Sequence, residues 1–185
     1  MDVVPRLRGR LGRPFTFVER TASTQRLLDG APEGAVAATD EQTEGRGRLG
    51  RTWQAPTGTS LLFSIVLVPL VPPARMPELS LVAGAAVAEA IESETGLCAT
   101  IKHPNDVLIG GRKVAGILAE ASEGRVVLGI GVNVSQTAQQ LPESVQTPPT
   151  SLALEGAAVD RVELLAAILD RLEQHYDRWV TSAGT

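Results

Sequence analysis

Apolar residues recur along this chain with two different periods, and the change from one to the other marks out its elements. Residues 21–28 read as a turn entering a short helix, with Thr21, Ser23 or Thr24 as the N-cap. Residues 35–39 form a short buried strand, and 60–68 a strongly apolar one stopped by Pro69. Between them, residues 41–58 carry no apolar period and read as a loop. Helical spacing over 77–95 puts Leu79, Val82, Ala83, Ala86, Val87 and Ile91 on one side, with Gly96 as C-cap. Strands follow at 99–102, 106–109, 113–121 and 125–134, with Gly110-Gly111 and Glu123-Gly124 as hairpin turns. Residues 136–149 are expected to be an exposed loop. A long amphipathic helix closes the pattern over 160–180, its stripe formed by Val162, Leu165, Ala166, Leu169, Leu172 and Tyr176. Strands, a helix, an antiparallel run and a second helix make an α+β arrangement, not a doubly wound parallel sheet.

Composition narrows the class. The 185 residues suffice for one domain, and 43% apolar with 21% charged is a globular mixture. No apolar run is long enough to span a bilayer, so no membrane role is expected. Arg6, Arg8, Arg10 and Arg13 are followed by no apolar stretch, which argues against a secretory signal; they read as a solvated strand edge. Cys98 stands alone and reads as a small core residue, and His103 and His175 are too few for a metal cluster. A cytoplasmic location is expected. The net charge of −4 argues against general nucleic-acid binding. Two Lys among 17 basic residues and two Asn in all draw attention to Lys102, Asn105 and Lys113, which fall close together.

Three motifs carry candidate chemistry. In Gly45-Arg46-Gly47-Arg48-Leu49-Gly50-Arg51-Thr52-Trp53, glycine allows close backbone approach, arginine offers planar forks for carboxylate and phosphate, and tryptophan can stack on a base. Its plain alternative is a solvated basic loop. Neither a Walker A pattern nor a strand-led GxGxxG is present, so a phosphate site here would be built from arginine. In Lys102-His103-Pro104-Asn105-Asp106 with Gly111-Arg112-Lys113-Val114-Ala115-Gly116, a hairpin is expected to bring Lys102 and Lys113 to one cleft; two solvated surface lysines are the alternative. In Gly129-Ile130-Gly131-Val132-Asn133, alternating glycine suggests close approach to a ligand or a neighbouring strand, and Asn133 needs a partner if buried.

Together and in this order, with Ser23-Thr24-Gln25 ahead of them, Gln42 opening the first loop and the second motif running on through Leu118 to Glu120, these motifs resemble the biotin protein ligases from about residue 20 onward. The resemblance implies a catalytic domain over residues 1–185 with a mixed, mostly antiparallel sheet and packed helices, related to lipoyl ligases and class II aminoacyl-tRNA synthetases. It implies biotin as substrate, ATP and Mg²⁺, a biotinyl-AMP intermediate, and transfer to a lysine of a biotin carboxyl carrier protein. By motif position, Lys113 and Arg48 are the implied catalytic groups. Ser23, Thr24, Gln25, Gln42, Arg46, Gly47, Arg48, Lys113 and Gly116 are implied around biotin. Arg51, Trp53, Asn105, Asp106, Gly131 and Asn133 are implied on the nucleotide side, with Asn105 and Asp106 helping to place the metal.

Gln25 stands where the family pattern has Asn, and His103 where it has Trp. The family's C-terminal SH3-like domain and the helix-turn-helix of its repressor-type members are expected to be absent, so no specific DNA binding is expected; a homodimer is left open. Competing functions are a lipoyl or octanoyl transferase on the same scaffold, a biotin-binding remnant with weak catalysis, and nucleic-acid binding through the arginine clusters. Cys98 lies outside every motif, which argues against a cysteine-dependent octanoyl transferase.

Overall fold

Strand Ser60–Leu67 is buried at every residue, because it lies inside the sheet with helices on one face and loop segments over the other. The computed structural model describes residues 1–143 and 146–182. Its strands are β1 (Phe15–Thr21), β2 (Val36–Gln42), β3 (Ser60–Leu67), β4 (Ala99–Lys102), β5 (Asp106–Ile109), β6 (Arg112–Ser122) and β7 (Arg125–Asn133). They form one seven-stranded sheet in the order β1-β2-β3-β7-β6-β5-β4. Only the β1–β2 pair is parallel; the other five are antiparallel. The expected α+β class and mostly antiparallel sheet are therefore observed.

Helices α1 (Leu79–Thr95) and α2 (Arg161–Thr181) pack on each other and on one face of the sheet. Leu79, Ala83, Ala86, Val87, Ala90 and Ile91 of α1 are buried, as are Leu165, Leu169, Leu172 and Tyr176 of α2. Asp160 caps α2, accepting from the backbone N–H groups of Val162 and Glu163 at 2.7 and 3.1 Å, and Gly96 ends α1 with φ +73°. Alternation along the strands turns Leu62 and Ser64 of β3, Gly116 and Leu118 of β6, and Gly129 and Gly131 of β7 to the opposite face, where they are register neighbours. The three glycines carry no side chain there, and this leaves room above the sheet between Leu62 and Leu118.

Several expectations are corrected. The pattern gave no strand at 15–21, because β1 is a half-exposed edge strand containing Glu19 and Arg20. The N-terminal arginines are no strand edge: Arg6 pairs with Glu163, and Arg10 with Glu173 and Asp177 at 3.1 and 2.5 Å, which ties the segment to α2. Cys98 is exposed, since it leads into edge strand β4. The short helix near 21–28 is a 3-10 turn over Arg26–Leu28 with Gln25 at the N-cap position and no side-chain cap. The loop expected over 136–149 is not uniformly exposed. Gln136 and Thr147 are buried, and Lys113 binds this segment through its main chain, its N–H to the Pro148 carbonyl and its carbonyl from the Thr150 N–H, each at 2.8 Å. Residues 144 and 145 of that loop lie outside the described residues.

Candidate active site

The segment between β1 and β2, the loop between β2 and β3, and the β5–β6 hairpin all rise on the bare face of the sheet. Together they enclose a cleft of about 140 Å³. Its floor is Gly116, Gly129 and Gly131. One end is polar and buried. Gln42 Oε1 accepts from the Thr24 N–H and hydroxyl at 2.8 and 3.0 Å, and Thr24 Oγ1 lies 2.7 Å from Ser64 Oγ. Ser23 and Thr24 are only 2% and 3% exposed, so this end is a preorganised set of donors and acceptors.

The Gly-Arg loop folds as a small hairpin above the floor. Arg46 pairs with Thr52, the Gly47 N–H donates to the Arg51 carbonyl at 2.7 Å, and the Trp53 N–H donates to the Gly45 carbonyl at 2.9 Å. Leu49 occupies the tip at φ +57° and is 88% exposed. The three arginines lead to different anchors. Arg46 reaches Gln25 and Glu120 at 2.9 and 2.6 Å, Arg48 reaches Asn105 Oδ1 at 3.5 Å, and Arg51 reaches Gln146 at 2.8 Å.

Lys113 Nζ forms an ion pair with Asp106 at 2.7 Å and lies 5.7 Å from the centre of the Trp53 ring. The indole lies flat on β6 and β7: a Cβ at Gly131 or Gly116 would fall 2.7 or 2.9 Å from ring atoms. Trp53 Nε1 is buried without a hydrogen-bond partner. Beyond the indole opens a second chamber of about 490 Å³, bounded by Arg51, Thr52, Asn133, Glu143, Gln146 and Pro149 among others. Lys113, Trp53, Arg51 and Thr52 line both spaces. Among the described residues, four cations (Arg46, Arg48, Arg51 and Lys113) line the first cleft with one carboxylate, Asp106, and Glu120 beside it pairs with Arg46.

The residues singled out in the sequence therefore converge, with two exceptions and one omission. Lys102 lines neither space; it sits on edge strand β4, two strands from β6, and donates to Thr147 Oγ1 at 2.6 Å. Asn133 touches the second chamber but is itself buried and committed, donating to the Thr150 carbonyl at 2.9 Å and accepting from Gln136 at 2.9 Å. Ser64 was missed; its signal was a hydroxyl interrupting the apolar run 61–67 of β3. Among the described residues, no three His, Cys, Asp or Glu side chains converge as a metal site.

Residues 15–136 match the model of the biotin/lipoate A/B protein ligase family. The chain belongs to that family. Within it, the chain is 36% identical over 186 residues to the bifunctional ligase/repressor BirA of Bacillus spizizenii, covering 95% of this chain and 57% of that protein. It is 40% identical over 182 residues to the biotin–[acetyl-CoA-carboxylase] ligase of Mycobacterium tuberculosis, covering 90% and 65%. The biotin protein ligase of Aquifex aeolicus, solved in complex with biotin and ATP, superposes with a TM-score of 0.82 at 33% identity over 92% of this chain and 73% of that one. The expected biotin/lipoyl ligase catalytic-domain fold is thus the observed fold. The chain spans 57% and 65% of the length of the two curated relatives named.

Proposed function

We propose that this chain activates biotin with ATP and passes it to a lysine of a biotin carboxyl carrier protein. One observation carries the reading: a buried polar recess and a larger chamber meet at Lys113 beneath an arginine-rich loop. In this reading Ser23, Thr24 and Gln42 hydrogen-bond the ureido ring, with Gln25 and Gly47 beside them. The carboxylate extends over Gly116 toward Lys113, and the triphosphate occupies the second chamber near Arg51, Trp53 and Asn133, with Gly131 beneath the indole between the two spaces. The names of the Mycobacterium and Aquifex relatives support biotin over lipoate.

The chemistry follows from charge. A biotin carboxylate oxygen attacks the α-phosphorus of ATP, a new O–P bond forms, and the P–O bond to pyrophosphate breaks. Two anions must approach, so cations preplaced at their junction lower the barrier. Lys113 is that group, and it must exchange part of its contact with Asp106 for the phosphate; Arg48 closes from above. A neutral acceptor amine then attacks the acyl carbon. The C–N bond forms, AMP leaves with the bonding electrons, and the amine proton passes to solvent. Magnesium fits as an ion brought by the nucleotide. Magnesium sites commonly use one or two carboxylates plus substrate phosphates, and Asp106, beside Asn105, is the carboxylate within reach of the junction.

Cys98 lies at neither space, so a cysteine-dependent acyl transfer finds no nucleophile there. Among the described residues no helix is long and apolar enough to cross a membrane. The test is mass detection of biotinyl-AMP after the protein is mixed with biotin and Mg-ATP, followed by labelling of a carrier domain. An octanoyl or lipoyl adduct in place of the biotin one would overturn the reading.

A further inference from the structure

The polar end of the cleft is closed by contacts between residues of three separate motifs, Gln25, Arg46 and Glu120. Arg46 stands on the first limb of the Gly-Arg hairpin, and its guanidinium turns back toward the sheet. One nitrogen, Nη2, donates to two acceptors: Gln25 Oε1 at 2.9 Å and Glu120 Oε2 at 2.6 Å. Glu120 belongs to β6 and stands in register with Val127 of β7. Gln25 follows the pair that closes the polar recess, and its amide Nε2 donates to the Val127 carbonyl at 3.4 Å. It rests close to the bare backbone of Gly129, where a Cβ would lie 3.4 Å from Gln25 Nε2 and 3.5 Å from Ser64 Oγ, in ordinary contact with both. Asparagine at position 25 would be one methylene shorter. Gln25, Arg46 and Glu120 thus tie the mobile-looking loop across the end of the cleft to two central strands.

The charges explain why such a tie matters. An arginine on a loop with no fixed partner is drawn to whatever anion enters the site. Glu120 competes for Arg46 and keeps it at the ring end, leaving Arg48, Arg51 and Lys113 to face the reacting anions. We propose that Glu120 is a positioning residue: by holding Arg46 against Gln25 it anchors the first limb of the Gly-Arg loop and raises affinity for the carboxylic-acid substrate. This inference rests on the biotin-activating reading above. The Arg46 and Glu120 side chains are 44% and 42% exposed, so the pair is screened by solvent and contributes little to global stability.

Two measurements on the intact chain test it. Without any ligand, trypsin should cut after Arg46, Arg48 or Arg51 about two to five times faster in Glu120→Ala than in wild type, the factor set by an exposed charge pair. In biotin-dependent pyrophosphate release, Glu120→Ala should raise the KM for biotin by about the same factor and leave kcat within about twofold. Glu120→Gln keeps an acceptor for Arg46 and should fall between. Equal trypsin rates with equal KM would overturn the proposal, as would a fall in kcat at constant KM. If wild type releases no pyrophosphate with biotin while the trypsin contrast holds, the biotin reading fails and the loop anchor stands.

Discussion

Gly131→Ala should turn the seat of Trp53 into an obstruction. A Cβ at position 131 would lie 2.7, 2.8 and 3.1 Å from Cε2, Cζ2 and Cδ2 of the indole. Carbon atoms sit comfortably at about 3.5 Å or more, so something must retreat by roughly 0.8 Å. Strand β7 cannot, because Gly131 pairs with Leu62 on one side and Gly116 on the other. Trp53 can, because it ends a loop held at that point by one backbone hydrogen bond to Gly45 and the neighbouring Arg46–Thr52 bridge. Overpacking a rigid core costs about 1–3 kcal/mol. Here the ring lifts toward the larger chamber, so the loss should sit near 1 kcal/mol, a fall in Tm of about 2–4 °C at this chain length. The lifted ring intrudes where the nucleotide is proposed to bind, and the KM for ATP should rise about tenfold, equivalent to about 1.4 kcal/mol. Calorimetry and pyrophosphate-release kinetics measure the two effects. Tryptophan emission in a Trp179→Phe background reports the ring itself, since Trp53 and Trp179 are the two tryptophans of the chain. Unchanged emission with unchanged ATP KM would refute the idea that the indole rests on this glycine.

Lys113→Ala should slow adenylate formation by about a hundredfold or more while Tm stays close to wild type, because the segment around 148–150 is held by the main chain of Lys113 and not by its side chain; near-normal turnover would remove Lys113 from the chemistry. Asn133→Ala should behave in the opposite way, losing about 1–3 kcal/mol of stability through the stranded Thr150 carbonyl and Gln136 amide, which chemical denaturation would read. Arg48→Gly should leave the adenylate forming but let it escape, seen as free biotinyl-AMP and nonspecific lysine labelling; no increase over wild type would argue against a closing loop.

The central strands and both helices were legible because their apolar spacing is set by burial, which the residues themselves carry. Strand β1 was not: half-exposed, with Glu19 and Arg20, it holds its place through parallel pairing with β2, a long-range fact that local pattern does not encode. The candidate site was legible wherever residue type announced its chemistry, as with Arg46, Lys113 and the glycine floor. It was illegible where a common residue acquires its role from register. Ser64 matters because it sits beside Gly129 and opposite Thr24, a neighbourhood that the local pattern does not show. Lys102 shows the converse error. Proximity in sequence to Lys113 suggested a shared cleft, but strand order places it at the sheet edge.

Among the described residues, the four cations at the cleft, with Arg46 paired to Glu120 and Lys113 to Asp106, leave a net positive well in a molecule whose overall charge is −4. Such a well focuses field lines and speeds the arrival of anions, over a range set by the Debye length of about 8 Å at physiological ionic strength. If two anions enter in turn, as proposed, the first to arrive cancels part of the field that attracts the second. Nucleotide capture by the empty cleft should therefore slow steeply as salt is added. With a carboxylate already bound beside Lys113, the same association rate should start lower and depend on salt less.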